Sequence, residues 1–250
     1  MMFTEQRRLA ILVYLKEKKE ASVAELAEEF NVSLQTIRAD LGFLENNNKL
    51  TRTHGGAILN KKIGEYKTIS EKKIINTDKK EIIAKKAIGL VEENDTIALD
   101  SGTTSFALCK ELIKFKNLNL IINDFAIANY LSENSSFKLI FVGGLIGRDI
   151  NSTNGPNAIN FLDDINCDKA FIACESFDFE KGFSTFDENQ AAYKKRLMQT
   201  SNTRIMLIDS SKFDKISSFT FAHVEDFAYF ITDKISDDYK RKIMKTSGVI

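Results

Sequence analysis

Between residues 78 and 245, short apolar runs alternate with stretches of helical period, and this alternation constrains the fold more than any other feature of the chain. Apolar, β-prone runs occur at 96–99, 118–122, 137–142, 169–174, 204–208 and 227–231. Helical patterns separate or follow them at about 78–91, 104–114, 125–132, 156–163, 188–200 and 236–245. Strands this short and apolar are buried on both faces, so the pattern predicts a mainly parallel sheet covered by helices on either side. A length of 250 residues leaves room for a second, smaller domain.

The first sixty residues follow a different rule. Leu9, Ile11, Leu12 and Leu15 mark one side of a first helix from Thr4 to about Lys18. Ser22 stands three residues before Glu25, the spacing of a capping box, and Val23, Leu26, Ala27 and Phe30 follow as one stripe. Ser33 is a second N-cap, opening a helix whose buried side is Leu34, Ile37, Leu41 and Leu44. Two short helices joined by a tight turn make a helix-turn-helix. The glycine-rich turn between the runs 49–52 and 55–59 predicts a hairpin, or wing.

Opposite the buried stripe of the third helix lie Gln35, Ala39 and Phe43, with Thr36 beside them and Arg38 and Asp40 on the flanks. Gln35 can pair bidentately with adenine, Thr36 can touch a base or a phosphate, and Arg38 can hold a phosphate. Ser22 and Ser33, at helix starts with open amides, suit phosphate contacts, while Lys49, Arg52 and His54 of the wing are candidates for the neighbouring backbone or minor groove.

Charge is balanced at 35 basic and 35 acidic residues. The balance hides an asymmetry: residues 1–60 are neutral, 61–86 carry nine lysines against four acids, and 87–250 carry 18 basic against 23 acidic residues. From charge alone the positive belt reads as a solvated linker. No apolar run approaches a membrane span, the N-terminus lacks a secretory apolar region, and Cys109, Cys167 and Cys174 are odd in number without metal-type pairing. A cytoplasmic chain with buried thiols, no membrane association, no metal and no cofactor is expected.

In the larger region, Leu99-Asp-Ser-Gly-Thr-Thr-Ser105 stands where a strand gives way to a helix. It reads either as an anion cradle of small residues and helix amides, or as an ordinary turn capped by Thr103 or Thr104. It lacks the Gly-Lys-Ser/Thr ending of a nucleotide-binding loop. Parallel sheets bind ligands at the carboxyl ends of their strands. Asp100, Ser101, Gly102, Thr103 and Thr104 are therefore candidates together with Asn123, Asp124, Gly143, Gly144, Glu175, Asp178, Lys194 and Lys212, the makings of a sugar-phosphate pocket.

Taken together, Val23-Ala-Glu-Leu-Ala27, Phe30-Asn-Val-Ser33, Thr36-Ile-Arg-Ala-Asp-Leu41 and Arg52-Thr-His-Gly-Gly-Ala57 resemble the DeoR-type family of bacterial sugar-operon regulators. Asp100-Ser-Gly-Thr-Thr104, Val142-Gly-Gly144, Asp168-Lys-Ala-Phe-Ile172, Gly182-Phe-Ser-Thr185, Lys194 and Asp209-Ser-Ser-Lys-Phe213 resemble the sensor domain of the same family. The resemblance implies a winged helix-turn-helix followed by an α/β sensor similar to ribose-phosphate isomerases. It further implies a homo-oligomer, dimer or tetramer, that binds operator DNA as a repressor and is released by a phosphorylated sugar. The expected division is 1–59 for DNA binding, 60–76 as linker and 77–250 as sensor.

Three departures stand out. Ala39 replaces the second arginine of the family's recognition helix, Asn46-Asn-Asn48 replaces a glycine before the wing, and Ser176 occupies a usual glycine position. The alternative, an isomerase-like enzyme with an accessory helix-turn-helix, needs a carboxylate base beside the substrate. Isomerases of this fold carry glutamate directly before the lysine matched by Lys194, whereas Tyr193 stands there in this chain, and no enzymatic activity is expected.

Overall fold

The computed structural model describes residues 3–18, 20–47, 49–59, 66–147 and 150–250. It divides into two compact units, Met1–Lys62 and Ile63–Ile250.

The first unit comprises α1 (Thr4–Lys18), β1 (Glu20–Ser22), α2 (Val23–Glu29), α3 (Leu34–Asn46), β2 (Leu50–Arg52) and β3 (Gly56–Leu59). The helix starts are set locally. The Ser22 hydroxyl accepts from the Glu25 amide at 3.1 Å while the Glu25 carboxylate accepts from the Ser22 amide at 2.7 Å. Ser33 accepts from the Thr36 amide at 3.1 Å and opens α3. The core is Ile11, Leu15, Leu26, Ile37, Leu41, Leu44 and Leu50, and burying such a side chain stabilises by about 1.5–3 kcal/mol. Two residues placed in these stripes by sequence lie outside the core. Leu9 is 64% exposed because it sits two positions, about 200°, from Ile11. Leu34, in the first turn of α3, is 45% exposed.

The hairpin β2–β3 forms as expected, and β1 adds to it antiparallel, with Ser22 opposite Gly56. A side chain at Gly56 would meet the Ala21 carbonyl oxygen at 2.0 Å, so only glycine permits this pairing.

The second unit opens with α4 (Ile69–Ile74) and α5 (Thr77–Ala87), then runs β4 (Thr96–Leu99), α6 (Thr103–Leu112), β5 (Asn119–Ile122), α7 (Phe125–Asn134) and β6 (Lys138–Phe141). A small hairpin of β7 (Leu145–Ile146) and β8 (Thr153–Asn154) precedes α8 (Pro156–Phe161) and β9 (Cys167–Ala173). Next come β10 (Ser176–Asp178), β11 (Gly182–Thr185), α9 (Glu188–Gln199), β12 (Ser201–Leu207), β13 (Phe219–Ala222), β14 (Tyr229–Ile231), α10 (Asp237–Ile243) and β15 (Gly248–Val249).

Seven strands form one wholly parallel sheet, in the order β15-β14-β12-β9-β4-β5-β6. Its side chains alternate between two cores: Ala98, Ala170, Ile172 and Met206 on one face, and Ile97, Leu99, Phe171, Ile205 and Leu207 on the other. The order of strands reverses between β4 and β9. From β4 the chain winds outward through β5 and β6, then returns past β4 to lay down β9, β12, β14 and β15. Loops leaving β4 and β9 therefore diverge and leave a crevice at their carboxyl ends.

Two features differ from the sequence expectation. A three-stranded antiparallel sheet, β10-β11-β13, packs Phe177 on Phe183 with ring centroids 4.6 Å apart. Its strands of three or four residues are too short for a legible alternation. Residues 66–76, within the stretch read as linker, are folded into the second unit: Thr68 caps α4 with a capping box, and Asn76 bonds Ser211 at 2.9 Å. Residues 60–65 of that stretch lie outside the described residues. Among the described residues no helix is long and apolar enough to cross a membrane.

Candidate functional site

At the carboxyl ends of β4, β5, β9 and β12 the second unit encloses a cavity of about 380 Å³. Its floor is the turn after β4. Gly102, at φ +125°, is the N-cap of α6, a conformation that L side chains rarely adopt. Gly102 has no side chain to cap α6, and the amides of the first turn, from Thr103 onward, carry the partial positive charge of a helix start. Ser101, Gly102, Thr103 and Thr104 all line the cavity.

Asp100 takes a different position from the one expected. It is 1% exposed and lies behind the cavity, where one carboxylate oxygen accepts from the Ala173 amide at 3.0 Å and from Lys194. Lys194 also donates to the Ala173 carbonyl at 3.1 Å and itself lines the cavity. Asp100 thus positions the lysine and ties β4 to β9. Asp124 both lines the cavity and caps α7, accepting from Ala126 at 2.8 Å, Ile127 at 3.2 Å and Gly102 at 3.2 Å. Burial pushes its carboxyl up, against the pull of these amide donors.

Glu175 and Lys212 meet in the cavity wall. One Glu175 oxygen accepts from Lys72 at 2.5 Å and the other lies 3.5 Å from the Lys212 ammonium. Burial alone would raise the Glu175 carboxyl, but Lys212 and Lys72 more than offset it and hold it below its ordinary value. Lys80 donates to the carbonyls of Lys72 and Ile75, at the end of α4, and burial lowers its ammonium. The lining carries six lysines (67, 72, 80, 194, 212 and 215) against Asp124, Glu175 and Asp209, in a region that is otherwise acidic. Such a site attracts an anion. Tyr66 and Phe186, edge to face at 5.8 Å, and Ile69, Ile75 and Ile150 supply its apolar wall.

Four candidates stand elsewhere. Asn123 is fully buried and donates to the Thr153 carbonyl at 2.7 Å. Asp178 turns the β10–β11 hairpin, accepting from the Glu180 and Lys181 amides at 3.0 Å. Gly143 and Gly144 follow β6 and are not part of the lining. All four follow or end a strand, as sequence reasoning required, but the Asn123 amide group is turned to the Thr153 carbonyl, Asp178 holds its own hairpin, and the two glycines lie outside the lining. Conversely, sequence reasoning missed Lys72, Asn76 and Lys80. The signal was present: three of the nine lysines in the belt at 61–86 line the cavity.

Tyr193, directly before Lys194, is 1% exposed within the core, so this position offers no base to the cavity. Cys174 lines the cavity, and burial raises its thiol. Cys109 is buried and pushed up to about 12. Among the described residues no group of three or more His, Cys, Asp or Glu is arranged to hold a metal.

In the first unit Gln35, Arg38 and Ala39 form an exposed strip on α3, with Lys49, Arg52 and His54 exposed on and beside the hairpin. The Thr36 hydroxyl is 2.8 Å from that of Ser33, so both serve the helix start as well as the surface. Glu45 steadies the wing by accepting from the Arg52 amide at 2.9 Å. Asp40, expected on a flank, is 2% exposed: it pairs with Arg7 Nε at 2.6 Å and Arg8 Nε at 2.9 Å and locks α3 to α1. Arg8 also lies over the Phe43 ring, 3.7 Å from its centroid. A rigid helix with a neutral-to-basic outer strip beside a small hairpin is suited to entering a major groove.

Comparison with known proteins fits both units. A family model of the DeoR-like helix-turn-helix domain matches residues 7–63, and one of the DeoR C-terminal sensor domain matches residues 75–234. An uncharacterised HTH-type transcriptional regulator of Haemophilus influenzae is 34% identical over 93% of this chain and 91% of its own length. The transcriptional repressor AccR of Agrobacterium fabrum is 31% identical over 92% of this chain and 90% of its own. Among solved structures, a ribose 5-phosphate isomerase from Methanocaldococcus jannaschii is similar over 55% of each chain, at 19% identity and a TM-score of 0.41.

Proposed function

The chain belongs to the DeoR family of transcriptional regulators, and from that premise we propose that it represses a sugar-catabolism operon and leaves its operator when a phosphorylated sugar fills the cavity of the second unit. The observation that carries this reading is the concentration of six lysines and the uncapped start of α6 in one cavity of an acidic region. A phosphate needs such donors and positive charge, and the cavity falls in the range of volumes that hold small molecules. The carboxylates that line it are engaged by amides, lysines and hydroxyls. That arrangement favours binding over proton abstraction.

The expected DNA contacts are Gln35 to a base edge, Thr36, Arg38 and the Ser22 and Ser33 helix starts to phosphates, and Lys49, Arg52 and His54 from the wing. The first sixty residues are neutral overall, so phosphate contacts per subunit are few and salt-sensitive. Useful operator affinity then comes from a dimer or tetramer engaging two half-sites.

Two measurements test the proposal. The purified chain should retard DNA from upstream of its own operon at low salt, and a sugar phosphate should reverse the shift. A thermal-shift screen over pentose, hexose, hexitol and glycerol phosphates should find a stabilising ligand, worth about 2.7 kcal/mol at a hundredfold excess over Kd. Thr103→Ala or Lys212→Ala should abolish that stabilisation. Failure to bind any upstream DNA overturns the regulatory reading, and a ligand shift that survives both substitutions overturns the site.

A further inference from the structure

Of the six lysines in the cavity, Lys194 is held by buried Asp100, and Lys80 by backbone carbonyls. Lys72 and Lys212 differ: both lean on Glu175, a carboxylate that is itself part of the cavity lining. Its two oxygens are divided between them, at 2.5 and 3.5 Å. This carboxylate occupies the position that an anionic group of a ligand would take between the same two ammonium groups. The pair also spans the fold. Lys72 belongs to α4, in the segment that follows directly on the first unit in sequence, whereas Glu175 and Lys212 follow β9 and β12 of the sheet. Tyr66 against Phe186 and Asn76 to Ser211 fasten the two ends of that segment, and Lys72 is the ionic fastening between them.

We propose that Glu175 is an internal counter-anion that the effector displaces, so that anion binding is read out as a change of partner by Lys72 and a loosening of α4. The proposal rests on the reading of the cavity as an anion site and adds the element that reports its occupancy. A carboxylate and a phosphate that share the two ammonium groups place like charges side by side, so occupancy by one weakens the hold of the other. The six-residue α4 is held by these fastenings, by its own capping box and by Lys80 at its carboxyl end, and is too short to be stable without such ties.

The test uses the full-length chain, inorganic phosphate as the probe, and two variants, with calorimetric affinity and amide hydrogen exchange of residues 66–76 as readouts. Glu175→Gln should bind phosphate at least tenfold more tightly than the wild type. Its exchange in 66–76 without ligand should reach the rate the wild type shows only at saturating phosphate. Lys72→Gln keeps the competing carboxylate and removes one receiving ammonium. It should bind phosphate at least tenfold more weakly while exchanging fast with or without it. If Glu175→Gln binds phosphate no more tightly, or if phosphate leaves exchange in 66–76 of the wild type unchanged or slower, the proposal is wrong. Should Glu175→Gln fail to fold, the wild-type exchange with and without phosphate, together with Lys72→Gln, decides the matter. Absence of any phosphate or sugar-phosphate binding to the wild type would instead overturn the anion-site reading.

Discussion

Replacing Lys194 by methionine isolates the energetics of the strand-end pair on which the cavity is built. Side chains of Asp100 and Lys194 are 1% and 6% exposed, so both charges are largely shielded from bulk water. In Lys194→Met, Asp100 retains the Ala173 amide at 3.0 Å as its remaining donor, and its other oxygen already has no partner among the described residues. Breaking a buried pair by removing one partner costs about 3–5 kcal/mol, because the other charge is left uncompensated. For a unit of this size each kcal/mol moves Tm by about 2–4 °C, so the transition should fall by roughly 6–20 °C. The second substitution separates lost charge from lost packing. Asp100→Asn combined with Lys194→Met removes both charges, leaving about 1–2 kcal/mol for the lost hydrogen bonds. The double variant should therefore be more stable than the single one by roughly 2–3 kcal/mol. Scanning calorimetry and urea unfolding of the full chain measure this directly. A single variant within 1 kcal/mol of the wild type, or a double variant no better than the single, would refute the assignment of Asp100 as a buried charge that depends on Lys194.

Three further outcomes follow from the same geometry. Asp40→Ala removes the buried carboxylate that bonds Arg7 and Arg8, and should destabilise the first unit by about 1.5–3 kcal/mol and weaken operator binding through misplacement of α3, measured by calorimetry and gel shift. Arg38→Ala should weaken binding to all DNA sequences alike and reduce the salt slope by about 1, whereas Gln35→Ala should cost about 1–3 kcal/mol at one base pair only, a contrast read from binding isotherms on mutated operators. The Glu175 carboxyl is held below its ordinary value of 4.5, so its ionised form stabilises the fold above about that pH, and this contribution is lost as pH falls through the lowered value. Glu175→Gln should accordingly lose less stability than the wild type on acidification below about pH 4.5 in urea titrations, and an unchanged acid limb would contradict the assignment.

Much of the architecture is legible in the chain because its determinants act over three or four residues. The Ser22–Glu25 box, the Ser33 cap and the apolar periods of α2 and α3 are local, and each is found where the spacing puts it. Short apolar runs alternating with helices lead directly to the parallel sheet, since strands that read as apolar throughout need cover on both faces. The same logic names the strand ends as the place to look. It does not say which strand ends converge, because that depends on the order β9-β4-β5, and reversal of winding is a property of the assembled sheet. Asp178, Gly143 and Gly144 end strands as well, yet lie outside the crevice.

Charge shows the division most sharply. By itself the sequence determines that residues 61–86 hold an excess of lysine, and that 87–250 hold an excess of acid. A count cannot distinguish a solvated lysine from one in a cavity, since what separates them is a partner distant in sequence. Lys72 meets Glu175 across 103 positions, and Arg7 meets Asp40 across 33. Those pairings arise only when burial brings the charges together and removes the water that would otherwise screen them. The helices of the first unit, their caps and the parallel strands were therefore determined locally by the sequence, whereas the tertiary structure decided which of its charges face one another and turned an apparent linker into one wall of the site.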